Sequence, residues 1–156
     1  MKLVAHSDAS YLSEPKPRSR AGGDFFLSRD STIPQNNGAF LNIAHIIKHF
    51  MSEATEAELE ALYFMDRETI YIRIILEEMG HKQPPRLLQT DNSIAKAVIN
   101  GKIQPKRTKA MDVCFCWLRD QEFQEQLRIY WRPGKSNYAD YWKKHHPAKH
   151  HQSTRK

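Results

Sequence analysis

The apolar positions along this chain follow two rhythms. Near the start, "KLVAHS" is a short apolar run that predicts a strand. "EPKPRSRAGGDFFLSRD" is a turn punctuated by Pro and Gly that runs into a second strand over 23–28. Asn36-Asn37-Gly38 signals a hairpin, and "GAFLNIAHIIKH" follows as a third strand. Three strands joined by short turns predict an antiparallel meander. The period then becomes helical. Positions 53–79 hold no Pro or Gly, and Gly80 supplies the C-cap. "PRLLQT" reads as a fourth strand, after which Asp91, Asn92 and Ser93 offer N-cap chemistry for a short helix over 94–99 that Gly101 breaks. A longer helix opens at Pro105 and runs through "KRTKAMDVCFCWLRDQEFQEQ". "LRIYW" is a fifth strand, "RPGKSN" a loop, and "YADYWKKHH" a last helical turn or two. The order β-β-β-α-β-α-α-β-α predicts an α/β fold with a mixed five-stranded sheet, the meander plus two further strands, flanked by helices. One domain is expected over 1–146, with a basic His/Lys-rich flexible tail over 147–156.

Composition narrows the class. The chain has 156 residues, 40% hydrophobic and 27% charged, which suits one globular domain with a sizeable core. The formal net charge of +6 favours a polyanionic partner. Cys114 and Cys116 stand two residues apart, on different sides of one helix, which disfavours a disulfide between them. Two cysteines with scattered histidines are too few for a structural zinc site. No apolar stretch approaches the ~18 residues of a membrane helix, and no signal peptide fits before the strand at Leu3. The expectation is a soluble, monomeric intracellular protein of cytoplasm or nucleus, neither secreted nor membrane-bound.

Four acids interrupt these rhythms. On the first helix, Ala54, Ala57, Ala61, Leu62 and Met65 mark an inward face, and Glu58 falls on it; Glu53, Glu56 and Glu60 fall largely on the opposite, solvated side. An acid on an apolar face needs a partner or a metal, because burying an unpaired charge is costly. Asp8 follows the first apolar run, and the question there is whether it merely ends a strand or joins a site. Asp91 ends a strand where a helix begins; Asn92 and Ser93 can cap that helix and leave Asp91 free. Asp140 opens the last helix, where a negative charge also suits the helix dipole. Four carboxylates gathered at one sheet end would repel each other without cations, and hard oxygen ligands select Mg²⁺ or Mn²⁺ over zinc. Lys106, Arg107 and Lys109 are placed to contact phosphates, with a solvated helix end as the alternative. Trp131, Tyr138, Tyr141 and Trp142 are read as core, with a groove as the alternative.

In chain order these acids are Asp on the first strand, Glu on the first helix, Asp at the end of the fourth strand and Asp on the last helix. That order resembles the acidic tetrad of the ribonuclease H fold. The likeness extends to the ribonuclease H domain of copia-type retrotransposon polyproteins. "HSDASYLSEP" stands where those read "YSDADWAGDP", and "MSEATEAELEAL" stands against "LSSTEAEY.AL". "TDNSIA" matches "CDNQSA", "KRTKAMD" matches "RTKHID", and "ADYWKK" matches "ADILTK". The similarity runs from about position 6 to 144, with departures at His6, Ser10, Ala110 and Cys116. The resemblance implies catalytic and metal-ligating roles for Asp8, Glu58, Asp91 and Asp140, with two Mg²⁺ (or Mn²⁺) ions as cofactors. It also implies an RNA·DNA hybrid as substrate and a reverse transcriptase domain as a further partner; the residues expected to contact the nucleic acid are Lys106, Arg107, Lys109, Asn92 and Lys135. The expected activity is metal-dependent endonucleolytic hydrolysis of the RNA strand of the hybrid. The alternative is a catalytically silent nucleic-acid-binding remnant of the same fold.

Overall fold

The computed structural model describes residues 1–29, 31–32, 34–48, 51, 53–101 and 109–143. In chain order the elements are β1 (Lys2–Glu14), β2 (Arg18–Ser28), β3 (Leu41–Ile46), α1 (Ala54–Glu78), β4 (Arg86–Thr90), α2 (Ser93–Ile99), α3 (Lys109–Phe123), β5 (Leu127–Trp131), a 3₁₀ turn (Gly134–Ser136) and α4 (Asp140–Lys143). The five strands form one mixed sheet in the order β3-β2-β1-β4-β5. β1, β2 and β3 pair antiparallel as the expected meander, and β4 and β5 add in parallel beside β1.

Burial follows position in the sheet. Residues 3–10 of central β1 and all of β4 are buried, whereas edge strand β3 alternates half-buried with exposed positions. On one face, Ala5, Ala21, Phe25, Leu88 and Ile129 pack against Ala57, Leu62 and Met65 of α1 and Phe115 and Leu118 of α3. The second face holds a smaller cluster, Val4, Phe26 and Leu87 with Tyr130 against it. α4 crosses that second face against β1, β2 and β3. A buried ion pair ties three elements together: Arg86 of β4 donates to both oxygens of Asp66 on α1, at 2.7 and 3.1 Å, and to Gln121 of α3 at 2.8 Å. The Trp117 indole donates to the same carboxylate at 3.1 Å. Gly23 leaves room for the buried Met65 thioether, which a Cβ at this position would displace.

Several boundaries differ from the sequence reading. The hairpin signal at Asn36-Asn37-Gly38 does not make a tight turn: none of the three has positive φ, and β2 already ends at Ser28 while β3 begins only at Leu41. The Asn37 side chain is engaged elsewhere, its amide donating to the Leu27 carbonyl and its oxygen accepting from Gly38 N. The tight hairpin lies instead between β1 and β2, at Pro15-Lys16-Pro17, with Lys16 at φ +61°. β2 starts at Arg18 rather than 23, and β3 is only six residues long. α1 ends as predicted: Gly80, at φ +90°, and His81 return their N–H groups to Glu77 and Leu76 in a Schellman cap. The opening of α3 at Pro105 and the tail over 147–156 lie outside the described residues. Glu56 is buried, not solvated, and Glu60 accepts from Cys114 Sγ at 2.8 Å. The amphipathic reading allowed α1 one covered face; β1 and β2 cover one side of it and α3 another. Trp131 and Tyr138, read as core, are 45% and 47% exposed.

Candidate active site

The site is built by strand register. β1 and β4 run parallel, and His6 stands opposite Gln89 as their last registered pair. Asp8 and Asp91 each lie two residues further on, so the two carboxylates leave the sheet at the same level. Asp8 does not end its strand: β1 continues to Glu14 with β2 as partner while β4 stops at Thr90. Asp8 therefore sits where the sheet loses its neighbouring strand and a cleft opens. α1 passes that point and delivers Glu58, four residues after Ala54, on its inward face.

One oxygen from each of Asp8, Glu58 and Asp91 lies within 4.8 Å of the others. Asp8 and Glu58 are 0% and 8% exposed, and the same backbone amide holds both. Ala9 N donates to Asp8 Oδ1 at 2.8 Å and to Glu58 Oε1 at 3.2 Å. Asp91 is half-buried and lines the open cleft with Asn92, Ser93 and Ile94. Asn92 caps α2, its Oδ1 accepting from Ile94 N and Ala95 N at 3.0 Å each, which leaves Asp91 out of the cap. The Trp131 indole donates to the Asp91 carbonyl at 2.9 Å. The loop after β5 comes close as well, since a Cβ at Gly134 would stand 3.0 Å from Asp91 Oδ2. An all-oxygen set of three adjoining carboxylates, two of them buried, fits a hard divalent cation such as Mg²⁺ or Mn²⁺ and does not fit zinc.

The other sequence-predicted residues fall as follows. Asp140 is the first residue of α4 and is not part of the 4.8 Å group. Lys135 is exposed on the 3₁₀ turn beside Gly134. Lys106 and Arg107 lie outside the described residues, and Lys109 begins α3. Two buried groups on the second face were missed. His6 Nδ1 accepts from Tyr138 N at 3.2 Å, and burial, with Arg132 nearby, lowers its pKa to about 3. Burial raises the Asp24 carboxyl to about 6, against a hydrogen bond from Trp142 that lowers it. The signal for Asp24 was present, an acid inside the apolar run "GGDFFL". A groove between α2 and α3, lined by Ile99, Val113, Phe115 and Phe123, holds none of the three carboxylates. No helix among the described residues is long and apolar enough to cross a membrane.

No protein-family model matches the chain. By sequence it is 28% identical over 149 residues to the Transposon Ty1-JR1 Gag-Pol polyprotein of Saccharomyces cerevisiae, covering 95% of this chain and 8% of that protein. It is 25% identical over 138 residues to the Retrovirus-related Pol polyprotein from transposon TNT 1-94 of Nicotiana tabacum, covering 88% and 10% respectively. The chain thus spans a tenth or less of the length of these curated relatives. Among solved structures it is similar to LC11-RNase H1 in complex with an RNA/DNA hybrid, with a TM-score of 0.63, 12% identity, and 90% and 93% of the two chains covered. It is also similar to the ribonuclease H domain of prototype foamy virus, with a TM-score of 0.57, 16% identity, and 91% and 92% covered. The architecture is the ribonuclease H fold, and the sequence similarity is to retrotransposon Pol polyproteins.

Proposed function

We propose that the chain is a metal-dependent endonuclease that hydrolyses the RNA strand of RNA·DNA hybrids. The observation that carries this reading is the meeting of Asp8, Glu58 and Asp91, from three separate elements, at the open end of the β1–β4 pair. The fold shared with a ribonuclease H solved on an RNA/DNA hybrid supports the substrate class. Asp8, Glu58 and Asp91, with Asp140 as fourth acid, are the residues that would hold two Mg²⁺ or Mn²⁺ ions. When bound, such ions supply an activated water and neutralise charge on the phosphodiester and its leaving oxygen.

The chain's own residues do the rest. The Ala9 amide fixes the orientation of the Asp8 and Glu58 carboxylates before any ion arrives. Asn92 keeps its Nδ2 available for a phosphate or a 2′-OH while its Oδ1 caps α2. Lys135, exposed beside the cleft, and Lys106, Arg107 and Lys109 supply cationic contacts to the backbone. The loop between β5 and α4 carries no histidine, so water protonates the leaving oxygen. The domain works as an intracellular monomer, with a reverse transcriptase domain as partner; a foamy virus protease–reverse transcriptase has this fold over 20% of its chain.

The test is incubation of the purified chain and Mg²⁺ with hybrid whose RNA strand is end-labelled. Shortened RNA, lost on adding chelator, with DNA duplex and single strands spared, is expected. Equal cutting of all substrates, or cutting that survives chelator, overturns the reading. The second reading, a silent nucleic-acid-binding remnant, is favoured by the place of Asp140 outside the 4.8 Å group. A folded chain that binds hybrid and never cuts it establishes that reading.

A further inference from the structure

We propose that His6 and Asp24 are positioning residues for Asp140, holding the segment that carries this acid from the far face of the sheet. The two side chains are 0% and 4% exposed and face each other across the β1–β2 register. Each grips the final segment at one point. The amide of Tyr138, two residues before Asp140, donates to His6 Nδ1 at 3.2 Å. The indole of Trp142, two residues after Asp140, donates to the Asp24 carboxylate. Asp140 is thus bracketed by two tethers whose acceptors are both buried. A helix of four residues cannot hold its own position through internal hydrogen bonds, because nucleating a single turn is unfavourable.

The surrounding contacts work in the same direction. Asn137 Nδ2 donates to the Ser7 carbonyl at 2.9 Å, and Gln89 Nε2 to the Ser136 carbonyl at 3.2 Å. Asn42, the β3 partner of Asp24, donates its amide to Asp24 Oδ1 at 2.7 Å in the orientation its neighbours require. The His6 ring meets Phe26 edge-on at 4.9 Å, which fixes its plane. Asp8 belongs to the same strand as His6, so one rigid strand sets both the first acid and, through Tyr138, the fourth.

The inference rests on the nuclease reading above, and its consequence is a divided effect on metal binding. An ion that Asp140 helps to hold should feel the loss of a tether, while one held by the Asp8, Glu58 and Asp91 group alone should not. The experiment is calorimetric titration of the purified chain with Mn²⁺, comparing wild type with Trp142→Phe, Asp24→Leu and Asp24→Asn. Exchange of the Trp142 indole proton is followed by NMR in the metal-free proteins that retain it. Trp142→Phe and Asp24→Leu should weaken one of two Mn²⁺ affinities by about 10-fold and leave the other within about two-fold. Asp24→Asn keeps an acceptor for the indole and should preserve both affinities and the slow exchange. A folded Trp142→Phe that takes up both ions as wild type does overturns the positioning role alone. So does a loss in Asp24→Leu that Asp24→Asn fails to rescue. A wild-type chain that takes up no Mn²⁺ overturns the nuclease reading, and this one with it.

Discussion

Replacing Asp8 with Asn should make the metal-free protein more stable. Asp8 is fully buried, and its carboxylate oxygen lies within 4.8 Å of oxygens from both Glu58 and Asp91. Two unit charges at that separation repel by about 3.5 kcal/mol at an effective dielectric constant of about 20, so two such pairs amount to about 7 kcal/mol before relaxation. Asp91 opens to solvent, which screens its share, and the side chains can relax apart, so the net gain should be roughly 0.5–2 kcal/mol, the range typical of stabilising changes. Asn retains an oxygen for the Ala9 amide, and its shape matches that of Asp. The gain corresponds to a rise in Tm of roughly 1–8 °C for a chain of this size. Thermal melting followed by circular dichroism in chelator measures it. Adding Mg²⁺ should raise the Tm of wild type and move the variant much less, since a ligand is gone. A variant that melts at or below wild type in chelator, with an equal Mg²⁺ response, refutes the argument that these acids form one charged, metal-holding group.

Three further outcomes follow from other features. Asp66→Ala strands the buried Arg86 guanidinium and should cost about 3–5 kcal/mol, whereas Asp66→Leu combined with Arg86→Met should regain a large part; chemical denaturation of the single and double variants decides it. Asp24 titrates near 6 in the fold against 3.8 ordinarily, so the folded chain binds this proton more tightly than the unfolded chain. Stability should therefore fall as pH rises from about 4 to about 6, and Asp24→Asn should lack that part of the slope; superimposable Tm–pH profiles would count against it. Replacing Lys106, Arg107 and Lys109 with Ala should flatten the log–log salt dependence of hybrid binding by roughly 0.7–0.9 per lost phosphate contact, and an unchanged slope would return them to a solvated helix end.

The meander, the long helix and its glycine cap were legible because each has a local signal: apolar runs bounded by turn residues, an unbroken helical run, and a residue suited to positive φ. Glu58 was legible because a carboxylate on an alanine-lined face breaks the rhythm, and Asp91 because Asn92 is a sufficient cap. The burial of Glu56 was not, since helical phase reports one covered face, whereas β1, β2, β4 and α3 all pack against α1. Trp131 was misassigned for a similar reason. Aromatic character suggests core, but its indole reaches out along the end of β4 to the Asp91 carbonyl. His6 and Asp24 escaped because strand residues show their partners only once the register is known and a short helix has been laid across them.

Gly23 takes part in none of the chemistry, yet it lies under the helix that delivers one of the acids. Met65 lies against it, and Glu58 lies seven residues earlier on the same helix, about 10 Å along its axis. α1 thus behaves as a lever resting on a point where the sheet offers no side chain. Adding one methyl group there would press on the Met65 side chain, and through it on the helix that carries Glu58. The seat of that helix is in this sense shaped by an atom that is absent, one position along β2 from the residue that stands opposite Asp8.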